Sequence, residues 1–212
     1  MQNFDFITFI QIFGSSSLGC ALVNLWWSFY LHRSGEKEKK MKAGHVYFEI
    51  HDVMADFVVA CSSRIGAINS CLFQFDDNGE EYSFPKLNNI SLSLPQNGSW
   101  KEISVGVVQK TRRISKRFSR TDTWIRTLYK REEWVEVDQA YELEIQRLSF
   151  YGVEACNLID EIESLTPIEH EDLSVYKNIF VEKLKAVEDS FKKNPDKLII
   201  PELKERFSKN AG

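Results

Sequence analysis

The chain has 212 residues, of which 43% are hydrophobic and 27% are charged, with only 10 glycines and 5 prolines. This composition excludes collagen-like, low-complexity and fully disordered proteins. Four cysteines are too few for a disulfide scaffold, and a net charge of −4 argues against a protein that coats nucleic acid. The length fits one domain, or a small domain with an appendage.

The N-terminal part of the sequence predicts a membrane anchor over residues 1–31. No charged side chain occurs from Phe6 to Leu31 (FITFIQIFGSSSLGCALVNLWWSFYL), and about 20 apolar residues suffice to cross the hydrocarbon core. Five basic residues follow within 32–42, so the positive-inside rule predicts an external N-terminus and a cytoplasmic C-terminus. In a bacterium this would be the inner membrane. A cleaved signal peptide is the alternative, but its basic n-region and small-residue cleavage site are missing.

Small and polar residues inside this anchor recur at spacings of three and four. They are Gly14, Ser17, Ala21, Asn24 and Ser28. On a helix this spacing forms a single stripe, and in lipid such residues let helices approach and hydrogen-bond to one another. We therefore expect self-association into a homo-oligomer through this stripe. The alternatives are one wall of a water-filled pore, or a chance distribution without consequence.

The rest of the chain predicts a mainly α-helical protein, an antiparallel bundle with coiled-coil-like seams and a short irregular or β flap. The bundle contains a repeat from Val107 to Leu128 and a second repeat from Tyr141 to Ile162. A helix opening at Trp100 either runs through both repeats or bends near Asp122. The predicted segments are a basic juxtamembrane linker (32–44), an amphipathic helix after the break at Gly44 (45–75), a loop or hairpin (76–98), the bundle (99–194) and a short helix with a tail (195–212).

Two signals predict helix ends within this bundle. Thr166–Glu169 combines a cap residue, a proline at the first helical position and a glutamate, which is typical of a helix start. Asn194–Pro195 is typical of a helix end, and Pro201 is expected to begin the last short helix.

Motifs of catalysis and metal binding are missing from the sequence. It has no HExxH motif, no clustered glycines for a phosphate loop and no G-x-S-x-G motif. The nearest metal-like set is His45, Glu49 and Asp52, which is more typical of a solvated helix face. We therefore expect no catalytic residue, no metal and no cofactor. Three cysteines lie on apolar helical faces and are interpreted as core residues: Cys61, Cys71 and Cys156.

A basic run is the most distinctive polar feature. Residues 99–131 carry ten basic and two acidic side chains, whereas 132–212 carry ten basic and nineteen acidic ones. Four residues share a helical face: Arg113, Lys116, Arg117 and Arg120. They are interpreted as pairing with the chain's own acidic residues 132–163, as contacting anionic lipid headgroups, or as contacting nucleic-acid phosphates.

These features predict a membrane-anchored, non-catalytic, self-associating effector or regulator. By architectural analogy it would perturb the membrane in a bacterial antiviral-defence or toxin-like system. The alternative is an oligomeric adaptor that tethers a cytosolic protein, or nucleic acid, to the membrane. The expected partners are membrane lipid, further copies of the chain and an unidentified cytosolic protein.

Overall fold

The computed structural model describes residues 17–71, 90–94, 100–132, 135–167 and 172–210, and these are mainly α-helical. The expected helical bundle is therefore confirmed for this part of the chain. Its helices are α1 (Ser17–Cys71), α2 (Val105–Arg131), α3 (Val137–Leu165), α4 (Ser174–Lys193) and α5 (Pro201–Asn210), with a 3₁₀ turn at Trp100–Glu102.

The chain divides into two compact units, Met1–His45 and Val46–Gly212. In the first unit the described residues belong to α1, where Lys42 and Glu38 form an ion pair of 2.7 Å one turn apart. The prediction of a linker over 32–44 is wrong, because these residues are helical. Gly44 is likewise no break. A single glycine costs a helix about 1 kcal/mol, and the neighbouring lysine, glutamate, methionine and alanine residues favour the helix.

The core of the second unit lies between the apolar faces of its helices. On α2 the buried residues are the first six of the predicted repeat, from Val107 to Ile125. The Phe118 ring lies edge-on to Phe57 of α1 at 4.8 Å and to Tyr151 of α3 at 5.5 Å. Edge-to-face pairs of this kind stabilise a core beyond the area that they bury. This aromatic cluster joins three helices.

A buried ion cluster lies beside these rings. Arg147, 1% exposed, donates to Glu144 over 2.6 and 2.7 Å and to the Phe118 carbonyl oxygen over 3.1 Å. Its guanidinium also stacks on the Phe118 ring at 3.8 Å, and Nη2 lies 3.4 Å from the Asp122 carboxylate. The desolvated charge is therefore paired and hydrogen-bonded, which is the condition for a buried cation to be tolerated.

Helix α2 differs from its prediction at both ends. It begins at Val105 rather than Trp100, because the Ser104 N–H donates to the Tyr47 hydroxyl (2.9 Å) after the 3₁₀ turn. It shows no bend at Asp122 and ends at Arg131. The Asp122 carboxylate accepts from Arg126 over 3.1 Å and so does not cap a new helix.

The helix predicted to open at Thr166 and to run through Leu173 is not continuous, because residues 172–173 are not helical, and 168–171 lie outside the described residues. Thr166 follows the end of α3, where its hydroxyl donates to the Ile162 carbonyl oxygen over 2.8 Å. Helix α4 begins only at Ser174, whose N–H donates to the Asp172 carboxylate over 3.0 Å. The predicted end at Asn194 and the predicted start at Pro201 are correct.

Most of the predicted flap over 76–98 lies outside the described residues. Residues 90–94 are described and have no regular structure. They lie against α2, where the Ser115 hydroxyl donates to the Leu92 carbonyl oxygen over 3.1 Å.

Candidate functional site

The predicted self-association stripe falls largely within α1. Ser17, Ala21, Asn24 and Ser28 are helical, so their spacing places them along one face, whereas Gly14 lies outside the described residues. Among the residues that the structure describes, no helix combines the length and apolarity that crossing a membrane requires. The predicted span from Phe6 to Leu31 lies partly outside those residues.

The four basic residues predicted as a lipid or nucleic-acid contact are all exposed on α2. Arg113 lies 3.4 Å from Glu154 of α3, and the neighbouring Lys110 lies 2.6 Å from Glu161. Pairing with the acidic residues of α3 therefore accounts for these two cations. Lys116 and Arg120 make no ion pair within the described part of the chain. The predicted face thus divides into residues that turn toward α3 and residues that do not.

Arg113 and Arg117 line an open cleft of about 500 Å³ where α2, α3 and α5 meet. Arg206 and Lys209 of α5 also line the cleft, and so do three acidic residues: Glu154, Glu202 and Glu205. Its lining also includes apolar side chains: Ile114, Phe150 and Val153. We name this space the α2–α3–α5 cleft. Its volume lies within the range of small-molecule sites, roughly 300–1,000 Å³.

A hydrogen-bonded group at the base of this cleft attaches α5 to the bundle. Glu202 Oε1 accepts from the Tyr151 hydroxyl over 2.7 Å and from the Thr121 hydroxyl over 2.6 Å. Burial, together with the neighbouring Glu202 carboxylate, raises the pKa of Tyr151 well above its usual range. The tyrosine therefore remains a hydrogen-bond donor at neutral pH. Because Arg206 is one helical turn after Glu202, this attachment also positions Arg206 at the cleft.

The two cysteine thiols whose surroundings the structure describes are poor nucleophiles. Cys61 and Cys156 are both buried, and burial raises the pKa of Cys156 to about 11 and that of Cys61 further. Both are therefore protonated at neutral pH, whereas the thiolate is the reactive form. Cys71, the third predicted core thiol, ends α1.

The histidines and acids that the structure describes show no cluster of three that could hold a metal ion, and this includes His45, Glu49 and Asp52. The buried His51 instead lies with Nε2 3.1 Å from Glu163 of α3. This pair joins two helices that are far apart in the sequence.

Sequence reasoning missed most of the cleft. Arg206, Glu202 and Tyr151 were not singled out, because each is ordinary in its own helix and only the packing of α5 brings them together. The sequence does contain a pattern that indicates the buried pair of Arg147 and Glu144. Two opposite charges three residues apart interrupt an otherwise apolar helix face, and such a pattern is typical of a paired buried charge.

No protein-family model, curated protein or solved structure matches this chain.

Proposed function

We propose that this chain is a single-pass membrane protein whose cytosolic helical body acts as a non-catalytic, self-associating effector or regulator. The observation that carries the proposal is the charge-free stretch from Phe6 to Leu31 with its basic flank. Its length suits a bilayer core, and its basic flank supports a cytoplasmic position of the body. The protonated, buried Cys61 and Cys156 support a non-catalytic body, since neither thiol is available as a nucleophile.

Self-association is proposed to occur through the stripe on α1. An asparagine or serine in lipid is costly when it has no partner, and a second copy of the stripe supplies one. Such polar contacts contribute about 0.6–2 kcal/mol each. Because this energy is small, the state of the cytosolic body would decide whether copies associate.

The cytosolic body is proposed to rest on the membrane surface through Lys116 and Arg120. Both are exposed and outside the α2–α3–α5 cleft. Each basic residue near an anionic lipid surface contributes about 1 kcal/mol. Two such residues therefore orient a body that the anchor already holds at the membrane.

Crosslinking in bacterial membranes tests the stripe. The variant Ser17→Leu/Asn24→Leu should lower the crosslinked fraction, because two polar contacts are lost, which corresponds to about a tenfold weaker association. Gly19→Leu is the matched control, since residue 19 lies on the opposite face of α1 and should leave crosslinking unchanged. Equal crosslinking of the double variant and the unaltered chain would refute self-association through this stripe.

Overexpression separates an effector from an adaptor. An effector should depolarise the membrane or arrest growth, and Ser17→Leu/Asn24→Leu should abolish this effect. An adaptor should be harmless at the same expression level, and that result would refute the effector proposal.

A further inference from the structure

We propose that the α2–α3–α5 cleft binds a small phosphorylated molecule, with its phosphate between Arg117 of α2 and Arg206 of α5. The proposal goes beyond the membrane function and does not depend on the anchor. It rests on two arginines of the cleft that form no ion pair within the described residues, on the apolar side chains of the cleft and on the way α5 is held.

The cleft contains four cations, and two of them are already paired. Arg113 lies 3.4 Å from Glu154, and Lys209 lies 2.8 Å from Glu205. Arg117 and Arg206 form no ion pair within the described residues, although both line the cleft. Each has a carboxylate in its neighbourhood, since Lys209 and, more weakly, Arg117 lower the pKa of Glu205, and Lys192 and, more weakly, Arg206 lower the pKa of Glu188. Three carboxylates also line the cleft: Glu154 and Glu205 belong to these pairs, and Glu202 accepts from the hydroxyls of Tyr151 and Thr121. Two guanidinium groups from separate helices thus form no ion pair and can donate to an anion.

The positive charges of Arg117 and Arg206 favour a phosphate group over a carboxylate as the anion that binds. A phosphate monoester carries about −1.5 to −2 charges at neutral pH, which matches two arginines. A planar guanidinium also presents donors in a fork that fits phosphate oxygens. A single carboxylate carries one negative charge and would compensate the charge of only one of the two arginines.

The wall of the cleft favours a small organic molecule over a polymer. Ile114, Phe150 and Val153 provide an apolar surface for the non-phosphate part of a ligand. A space of about 500 Å³ accommodates a small metabolite. A nucleic-acid duplex, with a diameter larger than this space, would contact only its rim.

The attachment of α5 to the bundle holds one side of the proposed binding site in place. Ile200 and Leu203 are fully buried, and Glu202 is held by two hydroxyl donors. Arg206 is therefore positioned before a ligand arrives. Such preorganisation reduces the entropy that binding must overcome.

Titration calorimetry of the full chain in an uncharged detergent tests the proposal. The probes are adenosine monophosphate, glucose 6-phosphate and inorganic phosphate, with adenosine as the probe that lacks phosphate. At least one phosphorylated probe should bind saturably and adenosine should not. Arg117→Gln/Arg206→Gln should weaken binding at least about tenfold, because two charged hydrogen-bond donors are lost.

Lys130→Gln/Lys204→Gln is the matched control. It removes the same charge from the same two helices at exposed positions outside the cleft, and binding should stay within about twofold. The variant Arg117→Lys/Arg206→Lys controls for misfolding, because it keeps both positive charges. It lacks the forked donors of the guanidinium groups and should therefore still weaken binding. The proposal is overturned if no phosphorylated probe binds, or if the glutamine and control variants bind equally.

Vesicles containing phosphatidic acid distinguish a lipid headgroup from a soluble ligand. Binding to vesicles alone, lost in Arg117→Gln/Arg206→Gln, would overturn the soluble ligand and assign the phosphate to a lipid. Vesicle binding lost only in Lys116→Gln/Arg120→Gln would support the proposed surface contact and leave the cleft free for a soluble ligand. The experiment can therefore refute the phosphate site in the cleft without refuting the proposed membrane contact, and the reverse.

Discussion

Arg147 is the largest of the fully buried side chains, and its charge is compensated by residues on two helices. Replacing it with methionine would leave the Glu144 carboxylate desolvated and without its cation. We expect Arg147→Met to lower the free energy of unfolding by about 3–5 kcal/mol. Urea unfolding of the full chain, followed by far-UV circular dichroism, measures this change.

Arg126 provides the control for that experiment. It binds the same Asp122 carboxylate, but its side chain is 27% exposed. Arg126→Met should therefore cost only about 0–1 kcal/mol. Arg147→Met/Glu144→Leu should restore much of the lost stability, because no lone charge then remains in the core. An Arg147→Met variant as stable as Arg126→Met would show that the cluster does not stabilise the bundle.

Helices α3 and α4 pack closely at Gly152. A Cβ atom there would lie 2.6 Å from Cδ2 of Phe180, whose side chain is fully buried. Alanine is favoured over glycine in a helix by about 1 kcal/mol, whereas overpacking a core costs about 1–3 kcal/mol. We therefore expect Gly152→Ala to destabilise the protein in thermal or urea unfolding.

The corresponding change in α1 should have the opposite sign. Gly66 is exposed, and a Cβ atom there would meet nothing within 4 Å. Gly66→Ala should stabilise by about 0.4–1 kcal/mol. Equal stabilisation by both substitutions would contradict the close packing of α3 on α4.

At the scale of helices, the sequence predicts buried faces better than it predicts ends. The repeat from Val107 to Ile125 is buried as expected, because a spacing of three and four places residues on one helix face wherever the helix begins. The ends depend on tertiary contacts. Asp122 binds Arg147 of another helix, and Ser104 binds Tyr47 of α1. No local pattern contains these partners.

The cleft was unpredictable for a related reason. The pattern of α2 places Arg113 and Lys116 on the same polar side, but only Arg113 lines the cleft that α3 and α5 complete. Glu202 has no distinguishing neighbours in the sequence. It attaches α5 to the bundle because it accepts from the Thr121 hydroxyl of α2 and the Tyr151 hydroxyl of α3.

For the whole molecule, the proposed topology is tested by fusions after Gly212. An alkaline phosphatase fusion should be inactive and a fluorescent protein fusion should be bright, because both would lie in the cytoplasm. Lys37→Gln/Lys39→Gln/Lys40→Gln with Gln2→Lys/Asn3→Lys should raise phosphatase activity, since it moves basic residues to the other side of the proposed span. Active phosphatase on the unaltered chain would contradict the topology.

The attachment of α5 also bears on the order of folding. An isolated helix of ten residues is marginal in water, because nucleation is costly and few backbone hydrogen bonds repay it. Helix α5 draws its stability from the burial of Ile200 and Leu203 and from hydroxyl donors on α2 and α3. These groups are in place only after the two longer helices have packed. We therefore expect helix α5 to form late, so that the cleft it completes exists only in chains whose core has already assembled.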